Sequence, residues 1–358
     1  MKIMVYDVAA TNSGALSVLN EFYNLASDVS RNNCEFEWYF VISTPNFKSS
    51  GNITVIKKPW VHKSWLHRVF FERFILKKIC QKNKIDRIVS LQNVGVDSIK
   101  VPQIIYYHNS IPFNDFRFKF TENKRFWVYQ NVIKYIYQNS LRNAYKIITQ
   151  TDSMKNSIIK NVCIDGSKVV SARPNIRISD KYKLFKYSNN TYNRFFYPAT
   201  AYDYKNHMTI LRAFKLLSEE GIKNYIVYFT ITTFENEYTK KLYNYVLRNK
   251  LNVKFIGKID RNKVFEYYSN SILLFPSYIE SCPFPLIEAQ HFNTFIISST
   301  CDFSQEILSN YNNARFFNYN NDLELNQQIK LILSGKDHHS QPALSMIQDD
   351  DIKDIILN

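Results

Sequence analysis

Ile272-Leu273-Leu274-Phe275-Pro276-Ser277-Tyr278-Ile279-Glu280-Ser281-Cys282-Pro283-Phe284-Pro285-Leu286-Ile287-Glu288-Ala289 reads as a strand, a stop, a loop and the start of a helix. The apolar run Ile272–Phe275 is halted by Pro276-Ser277. Pro285 suits the first helical position, where a missing N–H costs nothing, so the spacing predicts a helix from Phe284 to His291. A helix N-terminus at the carboxyl end of a strand concentrates free N–H groups and positive dipole, a seat for a diphosphate. Glu280 lies in the loop and Glu288 one turn into the helix, pointing back over its start to accept hydrogen bonds from sugar or ribose hydroxyls.

Working outward, the second half alternates in the same way. Strands are expected at Phe195–Tyr197, Tyr225–Thr230, Val253–Ile256, Phe295–Ser298 and Ala314–Phe317. Helices are expected at His207–Glu219, Thr239–Arg248, Ser304–Leu308 and Leu323–Leu333. The first half gives strands at Ile3–Tyr6, Glu37–Ile42, Arg87–Leu91, Gln103–Tyr107 and Lys146–Thr149, with helices at Leu16–Ala26, Trp65–Cys80 and Phe126–Arg142. Such alternation predicts an α/β fold with doubly wound, mostly parallel sheets. A length of 358 residues suits two domains. The pattern breaks at Arg173-Pro174-Asn175 and stays polar to Asn193, so the expected domains are 1–178 and 179–335, with a tail 336–358. For the tail two readings stand: a last helix returning to the N-terminal domain, or a frayed end. Two Rossmann-like domains facing each other across a cleft would place the reaction at the strands' carboxyl ends.

A hydrophobic content of 45% with 16% aromatics predicts a packed globule. Cys34, Cys80, Cys163, Cys282 and Cys301 form no CxxC pair and no metal-type spacing, which fits a reduced compartment. Cys282 has no neighbouring base or metal to make it a nucleophile. Met1-Lys2-Ile3-Met4-Val5-Tyr6 runs straight into a strand, so no signal peptide is expected. No stretch approaches the eighteen apolar residues of a membrane span. The expectation is a cytoplasmic protein.

Charge is unevenly spread. Residues 1–178 carry 26 Lys/Arg against 12 Asp/Glu, and residues 179–358 carry 20 against 19. Trp60–Lys84 mixes Trp60, Trp65, Leu66, Val69, Phe70, Phe71, Phe74, Ile75, Leu76 and Ile79 with Lys63, Arg68, Arg73, Lys77, Lys78, Lys82 and Lys84, and Phe116–Lys134 has the same flavour. A basic helix with aromatics reads as an element lying on an anionic membrane, here the inner face of the plasma membrane. The competing reading is a core-packed helix with a solvated basic face. No nucleic-acid-binding motif appears, so no nucleic acid partner is expected. Asp349-Asp350-Asp351 reads as a solvated run, and no metal site is expected.

Glu280, seven residues, Glu288 and Ala289 together resemble the Glu-x7-Glu motif of the family-4 retaining glycosyltransferases of the GT-B fold, within glycosyl transferases group 1. Val253-Lys254-Phe255-Ile256-Gly257-Lys258-Ile259 resembles that family's strand carrying a Gly before the nucleotide base, and the likeness runs on through Val264–Tyr268 and Leu273–Ser277. Ser171–Ile176 resembles its interdomain crossing.

The resemblance implies transfer of a sugar from a nucleotide-sugar donor, such as a UDP- or GDP-sugar, without a metal or other cofactor. The acceptor implied is a glycan or lipid-linked glycan of a bacterial surface polysaccharide: capsule, O-antigen or lipooligosaccharide. Lys205 stands where the family keeps a Lys for the diphosphate, although Ala or Thr occupies the position of an Arg often found just before it. Fixed positive charge there would stabilise the departing phosphate. Gly14, in Ser13-Gly14 rather than a glycine pair, would let backbone approach the donor. His108, after the strand Gln103–Tyr107, would touch the donor sugar or the acceptor. Ser281, Cys282, Pro283, Phe284 and Leu286 would line the donor beside Glu280 and Glu288, although Pro283 and Pro285 supply no N–H. No covalent nucleophile stands out, which favours a front-side reaction with retention of configuration. Two further readings use the same residues: a nucleotide-sugar epimerase or phosphorylase on a similar fold, and a non-catalytic subunit that binds nucleotide or lipid.

Overall fold

A computed structural model describes residues 1–11, 13–174, 178, 182–188, 191–335 and 352–357. The chain divides into two compact units, Met1–Asn175 with Gln348–Asn358, and Ile176–Ile347. Parts of the expected boundary segment (175–177 and 179–181), His338-His339 and the Asp349-Asp350-Asp351 run lie outside the described residues.

The N-terminal unit carries β1 (Lys2–Asp7), β2 (Glu37–Ile42), β3 (Ile53–Lys57), β4 (Arg87–Ser90), β5 (Gln103–Tyr107), β6 (Lys146–Thr149) and β7 (Val169–Ser171). They form one parallel sheet in the order β3-β2-β1-β4-β5-β6-β7. The C-terminal unit carries β8 (Arg194–Tyr197), β9 (Ile226–Phe229), β10 (Val253–Phe255), β11 (Ile272–Phe275), β12 (Ile296–Ser299) and β13 (Ala314–Phe317). Its parallel order is β10-β9-β8-β11-β12-β13. Each sheet reverses its winding once, between β1 and β4 and between β8 and β11. Those switch points are where loops diverge and ligands settle at the carboxyl ends of such sheets. All four residues of β11 and of β12 are buried, as expected for strands covered by helices on both faces.

Sequence periodicity missed β3, β7 and the helices Asp152–Val162 and Arg261–Asn270. These elements are short or strongly polar, so the apolar signal is weak. The two basic helices differ in a more informative way. The run from Trp65 to Asn83 widens to π-helical turns over Phe71–Leu76, and the run from Lys124 to Arg142 does so over Tyr129–Ile133. A wide turn inserts a residue and rotates the side chains beyond it about the helix axis. In the first helix Phe71, Leu76 and Cys80 enter the core, whereas Trp65, Leu66, Phe70 and Phe74 remain exposed. The terminal helix Ile352–Leu357 buries Ile352, Ile355 and Ile356 in the N-terminal unit's core, and the Arg87 guanidinium donates to the Ile356 carbonyl.

His207 opens the helix His207–Glu219 in the core of the C-terminal unit. It is fully buried among Tyr197, Phe229 and Tyr238, at ring distances of 4.8, 5.0 and 6.0 Å, and neither ring nitrogen has a hydrogen-bond partner. Burial, helped by the Lys205 charge, pulls the imidazole down from 6.5 to about 3. The unfolded chain therefore takes up this proton first on acidification, so the His207 contribution is intact above pH 6.5 and declines below it, down to about pH 3. Replacing His207→Phe should remove that decline. Urea unfolding should show wild type losing about 2 kcal/mol relative to the variant between pH 8 and pH 5; parallel pH profiles would refute this assignment.

Candidate active site in the C-terminal unit

Because β8 and β11 are neighbours, with Phe195 beside Ile272 and Phe196 beside Leu273, the loops that leave them emerge side by side. The first loop turns through Asp203–Lys205 into the helix His207–Glu219, and the second runs from Pro276 to the helix Phe284–His291. This brings together two residues 75 apart in sequence. Lys205 Nζ lies 2.5 Å from Glu280 Oε1, and the two side chains are only 16% and 12% exposed. Lys205 also sits over the Tyr204 ring at 5.4 Å.

Asn206, which the sequence does not single out, holds this arrangement in place. Its φ of 60° is left-handed, a conformation that Asn tolerates better than most side chains. Its amide donates to the carbonyls of Pro276 at 3.3 Å and Tyr319 at 2.9 Å, while its Oδ1 accepts from Thr209 Oγ1 at 2.9 Å. One side chain thus ties together the segments that leave β8, β11 and β13. The Tyr204 carbonyl accepts from Tyr278 N at 3.2 Å and from Ser277 Oγ at 3.3 Å, and Tyr197 Oη donates to the Lys205 carbonyl at 2.7 Å. The only local signal was an Asn directly before a helix, which sequence alone does not separate from an ordinary cap.

Glu288 is placed differently from Glu280. It is buried, with Oε1 accepting from Arg261 Nη2 at 2.8 Å and Oε2 from Tyr268 Oη at 3.1 Å. Burial raises its carboxyl, against the pull of Arg261. Arg261 begins the helix Arg261–Asn270, capped by Asp260, and was not singled out from sequence. Its signal was the cluster Asp260-Arg261-Asn262-Lys263 shortly after Gly257, whose φ of 69° requires the freedom of glycine.

The start of the helix Phe284–His291 offers fewer free donors than a generic helix. Pro283 and Pro285 have no N–H, Phe284 N already donates to the Cys282 carbonyl at 3.0 Å, and Leu286 N to the Pro283 carbonyl at 2.9 Å. Positive charge beside Glu280 therefore comes chiefly from Lys205. Cys282, Pro283 and Leu286 are buried, and Ser281 and Phe284 are partly open.

In the N-terminal unit, Gly14 lies in the first turn of the helix Ser13–Asn32, and a Cβ there would meet nothing within 4 Å. Neither packing nor backbone conformation requires glycine at that position. His108 comes directly after β5, and its N–H donates to Asn93 Oδ1 at 2.7 Å. Gln130 fixes the segment beyond it, accepting from Phe118 N and donating to the carbonyls of Ile111 and Phe116. Burial pulls the His108 imidazole down to about 4, so it is neutral at pH 7. Among the described residues, no group of three or more His, Cys, Asp and Glu is placed to hold a metal ion.

Residues 180–344 match the family model of glycosyl transferases group 1. Over 171 residues the chain is 30% identical to the capsular polysaccharide biosynthesis glycosyltransferase CapH of Staphylococcus aureus. That match covers 46% of this chain and 45% of CapH, so the chain spans less than half the length of this relative. Sucrose-phosphate synthase from Thermosynechococcus elongatus has a similar structure, with a TM-score of 0.70 at 14% identity over 93% of this chain and 90% of that one. The Anabaena protein HepE, solved in complex with UDP and glucose, gives a TM-score of 0.64 at 13% identity over 94% and 90%. At these identities the solved structures establish the fold, two Rossmann-like parallel-sheet units of the GT-B class.

The Asn206 ties can be tested by comparing two substitutions. Asn206→Gly keeps access to φ > 0 and loses the hydrogen bonds, whereas Asn206→Ala loses both. Chemical denaturation should show Asn206→Ala the less stable, with total losses of about 1–3 kcal/mol. Equal stability of both variants and wild type would remove the role given to this side chain.

Proposed function

We propose that this chain, a member of glycosyl transferases group 1 through residues 180–344, transfers a sugar from a nucleotide-sugar donor to a glycan or lipid-linked glycan in bacterial surface polysaccharide synthesis. The single observation that carries the reading is the Lys205–Glu280 pair, held at the switch point of the sheet that the family match covers. Breaking a glycosyl–phosphate bond builds negative charge on the leaving diphosphate. A preorganised ammonium at that oxygen lowers the barrier, because no reorganisation is needed as the charge develops. Lys205 has three donors; one serves Glu280, which leaves two for phosphate oxygens. Glu280 would accept hydrogen bonds from the transferred sugar's hydroxyls, and Glu288 with Arg261 would stand by the ribose. Gly14 and His108 would contribute from the N-terminal unit, with Ser281, Cys282, Pro283, Phe284 and Leu286 lining the donor.

Transfer with retention follows from a front-side reaction, in which the departing phosphate takes the acceptor hydroxyl's proton. This reading is preferred to double displacement because no residue in the sequence stands out as a covalent nucleophile. A lysine in the phosphate position makes a metal ion unnecessary for charge neutralisation. UDP is the first nucleotide to try, since HepE was solved with it. Release of nucleotide from a panel of UDP- and GDP-sugars, with surface-glycan acceptors, tests the reading. Lys205→Ala and Glu280→Ala should each reduce turnover at least a hundredfold, and Lys205→Arg less. Unchanged turnover in both alanine variants would sink the assignment.

We also propose that the N-terminal unit rests on an anionic membrane surface. No described helix is long and apolar enough to cross a membrane. The helix from Trp65 to Asn83 nonetheless leaves Trp65 and Leu66 70% exposed and Phe70 and Phe74 half exposed, beside the exposed cations Lys63, Arg73, Lys77 and Lys78. Apolar side chains flanked by cations suit the interface between headgroups and acyl chains. Co-sedimentation with vesicles containing phosphatidylglycerol should weaken as salt rises, and should fall further in Lys77→Glu/Lys78→Glu and in Trp65→Ser/Phe70→Ser. Binding indifferent to salt and to both double substitutions would rule the surface out.

A further inference from the structure

Between β4 and β5 the chain crosses back without the helix that usually covers such a parallel connection, and residues 91–102 hold no helix or strand. The connection is nevertheless pinned. Gln103 Oε1 accepts from Val96 N at 2.7 Å, and Gln103 Nε2 donates to the carbonyls of Val96 and Ile99 at 2.9 and 3.0 Å. Ser140 Oγ accepts from Gly95 N at 2.6 Å, and Ser98 Oγ donates to the Glu72 carbonyl at 3.0 Å, which ties the segment to both basic helices. A Cβ on Gly95 would stand 2.8 Å from Gln103 Oε1, so glycine is what lets the segment lie this close to the strand.

Where a helix would have packed, a cavity of about 460 Å³ remains at the amino ends of β5 and β6, away from the strands' carboxyl ends. Small-ligand sites usually measure about 300–1,000 Å³. Buried Val96, Ile99, Ile105 and Ala144 form its apolar wall. Tyr145 also lines it, 46% exposed, with the Arg87 guanidinium 5.6 Å from its ring centre. Asp97, Lys100 and Asn143 are exposed at the mouth, and their side chains have no hydrogen-bond or ion-pair partner among the described residues. Ser140, also in the lining, is 7% exposed. Its oxygen serves Gly95 N, and its proton has no acceptor among the described residues. A buried hydroxyl of this kind is expected to find one.

The polar set is an acceptor-only carboxylate, a donor-only ammonium, an amide that does both, and a buried hydroxyl with a proton to give. A net anion opposes Asp97, and a net cation opposes Lys100. A zwitterion gains little, because ion pairs this exposed contribute little. A saccharide suits every group: its hydroxyls donate and accept, charged partners strengthen those bonds, and its C–H faces pack on Tyr145 and the aliphatic wall. We infer that this cavity is a saccharide-binding pocket of the N-terminal unit, distinct from the Lys205–Glu280 site, which takes one neutral sugar residue of a glycan. Binding here needs neither nucleotide nor transfer, so it is read out independently of the C-terminal unit.

Methyl glycosides of glucose, galactose and N-acetylglucosamine would be titrated against the full chain by ligand-observed NMR, without nucleotide. At least one should bind wild type, and its Kd should rise tenfold or more in Asp97→Ala and in Tyr145→Ala. The same Kd should stay within twofold in Lys205→Ala and Glu280→Ala. If Tyr145→Ala does not fold, the exposed pair Asp97→Ala and Asn143→Ala carries the comparison. The inference is overturned if no methyl glycoside binds wild type, or if binding stays within twofold in the folded pocket variants. Loss of binding in Lys205→Ala or Glu280→Ala, with Asp97→Ala unaffected, would place the sugar in the C-terminal unit and overturn it as well.

Discussion

Parallel adjacency of β8 and β11 is the constraint on which the candidate site depends. A parallel pair is joined by a crossover, so residues far apart in the chain meet at a common edge. Here the crossover carries two further strands and three helices before the chain returns beside β8. Lys205 and Glu280 owe their 2.5 Å contact to that return. Asn206 makes the contact durable, because its amide holds the two loops and the segment after β13 together. A lysine on an untied loop would lose more rotamer freedom whenever it engaged a phosphate.

Much of this was legible in the sequence, for identifiable reasons. Strands such as Glu37–Ile42 and Gln103–Tyr107 and helices such as His207–Glu219 and Phe284–His291 carry dense apolar patterns bounded by polar or proline punctuation, and they fold with the expected limits. Arg261 and Asn206 were not legible, since each acts through a partner distant in sequence. The wide turns in the two basic helices were equally hidden. Period 3.6 places Phe70, Phe71 and Phe74 by uniform rotation, whereas the inserted residue decides which of them faces the core. The helix start beside Glu280 shows the opposite failure. A proline marks the first turn correctly, but its neighbours' N–H groups are taken by nearby carbonyls, so anion-binding capacity does not follow from the element alone.

The two glutamates of the motif show how one spacing yields two electrostatic situations. Glu280 faces the Lys205 ammonium through one of its oxygens. Glu288 faces a guanidinium and a phenol that occupy both of its oxygens, and burial makes its charge costly without them. A carboxylate of the first kind keeps one oxygen outside its ion pair. One of the second kind is a fixed reference, able to position what touches Arg261 but slow to release its own bonds.

The same division of labour runs through the helix from Trp65 to Asn83. Its inward face supplies Arg68 and Glu72, locked to each other and to Tyr6 at the end of β1, while its outward face supplies Trp65, Leu66, Phe70 and Phe74. Those exposed side chains and the Tyr6 edge are therefore joined through one helix. A π-helical turn over Phe71–Leu76 interrupts the uniform rotation of this helix, so that Phe71 and Leu76 enter the core while Phe74 between them stays exposed.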